Sequence, residues 1–243
     1  MLALDHFFIL VEPEAKVAGL LTELGLEESF SRDHPGQGTS NRCFSFSNNK
    51  LELLWLRDEE EANNGPAKGL HFPQRSTHKE ASPFGLILKR AATVIDNKKE
   101  SSEKESSEKE SSEKESSELA MPFNGWRYQP DYFSAPMAFH VGSNSENLIE
   151  PLCIYVPFME PAEKAVDLVI EKGQFKSISH VHMHVPADSL SKEPLSPELL
   201  IASQSEGLSV ECGTEHLMEV TFDQKACGLS KDLRPDLPLI LHW

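Results

Sequence analysis

The amino end carries the clearest pattern. From Leu2 to Val11 nearly every position is apolar, with Leu2, Leu4, His6, Phe8 and Leu10 on one face and Ala3, Asp5, Phe7, Ile9 and Val11 on the other. Such a run predicts a strand covered on both sides. Glu14 to Leu24 has helical spacing, with Val17, Leu20, Leu21 and Leu24 on one stripe and Gly25 as a stop. Arg42 to Phe46 and Leu51 to Leu56, joined across Asn48-Asn49, predict a hairpin. Glu28 to Ser31 leaves room for one more strand. The order is strand, helix, strand, strand.

Arg57 to Glu80 is polar and reads as loop or helix. Phe84 to Leu88, Gly125 to Tyr128, Met137 to Val141 and Leu152 to Val156 are strand candidates. Ala162 to Glu171 and Pro197 to Ser205 read as helices. Ile178 to Val185 alternates strictly, and Leu217 to Phe222 and Leu237 to His242 complete the strands. The tail thus repeats the order of the head, a sign of internal duplication.

Lys98 to Glu118 breaks the pattern. The unit Glu-Ser-Ser-Glu-Lys starts at 100, 105 and 110, with a truncated copy at 115. Without an apolar face it can join no core, and it reads as a solvated insertion. The chain divides into residues 1–97, the insertion 98–118, and residues 119–243.

Charge narrows the function classes. Among 243 residues, 23 Lys and Arg stand against 39 Asp and Glu, a net charge of −16. The insertion, with eight Glu and five Lys, supplies −3, so the rest stays strongly acidic. Nucleic acid and anionic membrane surfaces are thereby disfavoured as partners. No apolar run reaches the ~20 residues of a membrane span, and the first residues do not read as a signal peptide. Cys43, Cys153, Cys212 and Cys227 are too scattered for a thiolate metal site or a disulfide framework, so a reducing cytoplasm is expected. No nucleophile elbow or phosphate loop occurs.

Two polar residues stand on apolar strands. His6 lies among Leu4, Phe8 and Leu10, and Glu52 shares a face with Leu54 and Leu56. A carboxylate there requires a partner. A divalent metal is one, since His plus carboxylate suits Zn, Fe, Mn or Ni. Ordinary hydrogen bonding within a core, or a sheet edge facing water, is the other reading. His180, His182 and His184 alternate with Val181, Met183 and Val185. They read as the exposed face of a half-covered strand, because no acidic residue with obvious ligand spacing follows nearby. Arg42 could hold a carboxylate or form a surface ion pair, and Trp55 and Trp126 could line a pocket or fill core.

Asp5-His6 on a first strand, the amphipathic helix, the loop His34-Pro35-Gly36-Gln37-Gly38-Thr39-Ser40-Asn41-Arg42 and the strand Leu51-Glu52-Leu53-Leu54 together resemble the glyoxalase-like branch of the vicinal-oxygen-chelate superfamily. The resemblance implies an α+β fold of paired βαβββ modules in an open curled sheet around a metal. His6 and Glu52 match the ligand positions of the first module. Glu150 would supply the closing ligand or a general base, whereas Ser82 and Pro83 offer none. The implied function is binding of, or chemistry on, a small oxygen-rich molecule by a monomer or homodimer. An enzyme of this kind would be a metal-dependent lyase, isomerase or dioxygenase. The alternative is a metal-free binding or sequestering protein on the same fold.

Overall fold

A computed structural model describes residues 1–92, 121–159, 175–186 and 195–243. The charged insertion and the helix expected over 162–171 lie outside the described residues. The protein is α+β, with two mixed sheets and a few short helices.

The first half contributes β1 (Leu2–Leu10), α1 (Ala18–Glu23), β2 (Glu28–His34), β3 (Thr39–Ser45) and β4 (Lys50–Leu56). The expected helix is shortened at its start. Pro13–Ala15 form a separate 3-10 turn in which Glu14 and Ala15 adopt positive φ, so regular helix begins only at Ala18. Gly25, with φ of +97°, ends it as expected. Next come α2 (Glu59–Asn64) and α3 (Phe72–Thr77). The second half contributes β5 (Phe84–Arg90), β6 (Gly125–Tyr128), β7 (Phe139–Gly142) and β8 (Leu152–Tyr155).

These eight strands form one sheet in the order β2-β3-β4-β1-β5-β8-β7-β6. Outward from the antiparallel β1·β5 junction, both halves run in the same order. In each, the first strand pairs in parallel with the last, β1 with β4 and β5 with β8. Gly85 lies opposite Phe8, and a Cβ there would come within 2.1 Å of the Phe8 ring.

The tail forms a second sheet from β9 (Ile178–Pro186), β10 (Leu208–Gly213), β11 (Leu217–Phe222), β12 (Ser230–Asp232) and β13 (Leu239–His242), in the order β10-β9-β11-β13-β12. Between β9 and β10 lies α4 (Pro197–Ala202). The tail is not a further copy of the head. Its opening strand sits between β10 and β11, whereas β1 pairs within its own half only with β4. A repeated strand order is found instead between the two halves of the larger sheet.

The second sheet covers one face of the first. Leu4, Phe7, Ile9, Leu51, Leu53, Leu86 and Leu88 pack with Val181, Met183, Val220 and Leu241 in the main core. The Asn48 side chain joins the layers, its Nδ2 donating to Ile178 O at 2.7 Å and its Oδ1 accepting from Ile178 N at 3.0 Å. The opposite face carries a smaller core of Phe8, Leu10, Leu54, Leu70, Phe72, Ile87, Tyr128 and Ile154. Strands buried on both faces are what the near-continuous apolar runs in β1, β4 and β5 require.

Candidate functional site

One departure from strict alternation builds the site. The β1·β5 register slips between Leu4 and His6. A bulge of this kind re-aims side chains. Leu4 therefore joins Phe7 and Ile9 in the main core, and Asp5 shares a side with His6. The two touch, with His6 Nδ1 2.7 Å from Asp5 Oδ2. The carboxylate can only accept, so Nδ1 carries the hydrogen and Nε2 is turned toward Glu52.

Glu52 and Lys50 alternate with Leu51 and Leu53, so both face away from the main core. Glu52 Oε1 lies 3.6 Å from His6 Nε2 and 2.6 Å from Lys50 Nζ. Burial alone would raise the Glu52 pKa, but His6 and Lys50 outweigh it and hold it at about 2. Asp5 repeats the balance. Burial opposes its charge, while His6 and Lys89, 2.8 Å away, hold it at about 2. Ionisable groups therefore line up in a row: Lys89, Asp5, His6, Glu52, Lys50.

His6 and Glu52 open on a cavity of about 90 Å³. Phe8, Leu54, Phe72, Ile87, Phe139 and Ile154 form its apolar side, and Arg32, His34, Gln37, Tyr128 and Tyr132 extend its polar side. Burial pushes His34 down to about 4, so it is neutral near pH 7. Arg32 Nε donates to His34 Nε2 at 3.2 Å, which leaves Nδ1 to carry the hydrogen, 3.0 Å from Thr39 Oγ1. Gln37 Nε2 donates to the same hydroxyl at 2.8 Å, and Gln37 Oε1 accepts from the Tyr128 hydroxyl at 2.9 Å. Positive φ at Gly36 and Gly38 turns the loop that presents Gln37. The polar wall is thus a preformed, connected network.

The other expected residues lie elsewhere. Glu150 does not line the cavity. Its carboxylate accepts from Ser196 N at 2.7 Å, from Ser196 Oγ and from Asn144 Nδ2 at 3.1 Å, tying the loop before β8 to the N-cap of α4. It is neither a ligand beside His6 nor a base in that cavity, because its oxygens are already engaged. Arg42 is paired with Glu28, its Nε 3.0 Å from both carboxylate oxygens. Trp55 packs against the main core and Trp126 against the smaller one, with Trp126 Nε1 donating to Ser145 Oγ at 3.2 Å. Neither lines the cavity. His180, His182 and His184 project from β9 opposite the main-core residues Val181, Met183 and Val185.

The donor set does not suit a resident divalent metal. Glu52 already has its cation, the Lys50 ammonium. The residue paired with His6 across the β1·β5 junction is Ile87, and Ile87 in turn pairs with Ile154 on β8. The second half therefore presents hydrocarbon where further ligands would be needed. A thiolate is also unavailable. Cys43, the cross-strand partner of Glu52, is pushed up to about 12 by burial and by that carboxylate.

A solved structure bears on the fold. The chain aligns over 100% of its length with 99% of a hypothetical protein from Staphylococcus aureus, at 13% identity and a TM-score of 0.51. The two chains share a fold. A hypothetical protein from Bacillus halodurans C-125 covers 67% of this chain and 99% of its own, at 15% identity and a TM-score of 0.36. No family model matches the chain, and no curated protein matches it. Among the described residues, no helix is long and apolar enough to cross a membrane.

Proposed function

We propose that the chain is a glyoxalase-like protein that binds a small, oxygen-bearing molecule in the His6–Glu52 cavity without a resident metal. The repeated strand order of the two halves of the larger sheet supports the glyoxalase-like reading, since paired βαβββ modules produce that order. The observation that carries the metal-free part is Lys50 Nζ at 2.6 Å from Glu52 Oε1. That ammonium does for the buried carboxylate what a metal would otherwise do. The cavity is smaller than the ~150 Å³ that admits a benzene ring. Only a few heavy atoms of a ligand enter it, with Arg32 and Tyr132 available to an oxygen-bearing end.

Titrating small hydroxy- and oxo-carboxylates into the protein, with and without EDTA, tests this. Chelator-insensitive shifts of the His6 and Glu52 resonances are expected. Binding that appears only after a divalent ion is added overturns the metal-free reading.

One observation favours catalysis over simple binding. With Asp5 fixing the His6 tautomer at 2.7 Å, Nε2 is presented as a proton acceptor beside the cavity. An enzyme built this way would move a proton on its ligand, as an isomerase or lyase does. Solvent-hydrogen exchange into a bound ligand, abolished by His6→Gln, separates the two readings.

A further inference from the structure

On the far face of the second sheet a different constellation forms. His182 and His184 stand two residues apart on β9, and their rings stack with centroids 4.6 Å apart and planes 13° apart. On the neighbouring strand β10, Glu211 pairs in register with His184. Its Oε1 lies 3.4 Å from His182 Nε2 and 3.1 Å from His184 Nδ1. A single carboxylate oxygen thus faces two imidazole nitrogens. His182 Nε2 is buried and makes no hydrogen bond, despite the nearby oxygen.

A second carboxylate fixes the tautomer of His184. Glu219 on β11 has Oε1 3.0 Å from His184 Nε2 and Oε2 2.7 Å from His242 Nε2. Ionised Glu219 can only accept, so His184 Nε2 carries the hydrogen. His184 Nδ1 then faces a Glu211 oxygen at 3.1 Å. A cation placed between the two atoms would bridge them. A proton could serve one imidazole, but a metal ion would serve both and also satisfy His182. Carboxylate to imidazole to metal is a recurrent way of orienting a ligand and raising its basicity.

We propose that His182 Nε2, His184 Nδ1 and a Glu211 oxygen form a binding site for a zinc-class divalent ion, with Glu219 as the positioning residue behind His184. The three donor atoms lie within 4.8 Å of one another. Tetrahedral zinc wants them about 3.3 Å apart, from bond lengths of about 2.0–2.2 Å. The two Glu211 contacts, 3.4 Å and 3.1 Å, already match, and the two imidazole nitrogens, within 4.8 Å of each other, would draw together on the ion. Two imidazoles and a carboxylate suit zinc, and the half-exposed Glu211 leaves the remaining position open to water. Among the described residues, the ion pairs of Glu211 and Glu219 are all with histidine. Among the described residues, no lysine fills the role that Lys50 fills beside Glu52.

The test uses the full chain, stripped with chelator and titrated with Zn²⁺ alone by calorimetry near pH 7.5. One equivalent is expected. His182→Gln and Glu211→Gln should each lower affinity at least tenfold, and Glu219→Gln should lower it about tenfold without contributing a ligand. His180→Gln should leave affinity unchanged. The nitrogen shift of His184 should report metal at Nδ1 and hydrogen at Nε2. Each variant is checked for cooperative unfolding. Absence of binding, binding that survives the paired His182→Gln and Glu211→Gln changes, or loss of binding with Glu52→Gln instead would overturn the proposal.

Discussion

The His6–Glu52 and His184–Glu211 contacts are both imidazole–carboxylate pairs on sheets, 3.6 Å and 3.1 Å long. They differ in what completes them. The inner pair lies against apolar side chains and has Lys50 on Glu52 and Lys89 on Asp5. The outer pair has a second carboxylate, Glu219, and a second imidazole, His182, with no lysine among the described residues. The inner pair resembles a family's metal position in sequence, yet it supplies its own cation. The outer pair reads as the polar side of an amphipathic strand, yet among the described residues its carboxylates are paired with histidine alone. Residue type alone does not identify a metal site; the neighbouring charge does.

Removing the built-in cation should have the largest effect. Lys50→Met leaves Glu52 buried, with His6 at 3.6 Å as its nearest remaining ion-pair partner among the described residues. Unpairing a buried charge costs about 3 kcal/mol or more, so chemical denaturation at pH 7 should show a loss of that size. Added Zn²⁺ should recover part of it by binding the freed pair. A variant as stable as the parent would mean that Lys50 is not the charge partner of Glu52.

Acid should come next. The folded His34 pKa, about 4, lies below the value of 6.5 expected in the unfolded chain. The unfolded state therefore takes up the proton first as pH falls. This contribution to stability is full above pH 6.5 and is lost progressively down to about pH 4, amounting to about 3 kcal/mol. Glu52 acts lower, its contribution being lost from pH 4.5 down to about 2. Denaturation midpoints measured across this range should fall in two stages. His34→Gln should flatten the upper stage and leave the lower one. An unchanged upper stage in that variant would assign it to another group.

Much of this arrangement was legible in the chain. The two-faced apolar runs place β1 and β4 inside, and alternation puts Glu52 on the face of Leu54. The same alternation puts Lys50 beside Glu52, a signal present at a spacing of two but masked by the resemblance to a metal site. The bulge at Asp5 had no composition signal. It shifts Leu4 to the other face and creates the Asp5–His6 contact. His34 was hidden because the glycine-rich stretch after it reads as loop, whereas it ends β2. Glu211 was missed because β10 was not recognised as a strand. In Leu208-Ser209-Val210-Glu211, Leu208 and Val210 alternate with polar residues, but Glu206-Gly207 before and Gly213 after shorten the pattern. Glu150 failed as a ligand because a loop position carries no periodicity to fix its direction.

A smaller effect is expected from the other partner of the inner pair. Glu52→Gln keeps the side-chain volume and removes the charge. Lys50 is then left unpaired, but its side chain is 21% exposed and can carry the ammonium outward to water. The cost should be about 1 kcal/mol, well below that of Lys50→Met. This asymmetry is specific to a buried carboxylate served by a partly exposed lysine. Equal losses in the two variants would mean that the ammonium is as trapped as the carboxylate.

The outer pair should give the smallest change of all in the absence of metal. Glu211 has a 56% exposed side chain, so Glu211→Gln removes a solvated charge. Stability in the presence of EDTA should stay within ~0.5 kcal/mol of the parent. Saturating Zn²⁺ at 100 times its dissociation constant should stabilise the parent by about 2.7 kcal/mol, and Glu211→Gln should lose most of that gain. The same two substitutions, glutamate to glutamine at 52 and at 211, thereby separate the pairs. At the inner position the cost is intrinsic and independent of metal. At the outer position it exists only when metal is present. Melting both variants with EDTA and with Zn²⁺ measures the four values, and a metal-independent loss at 211 would show that Glu211 supports the sheet rather than an ion.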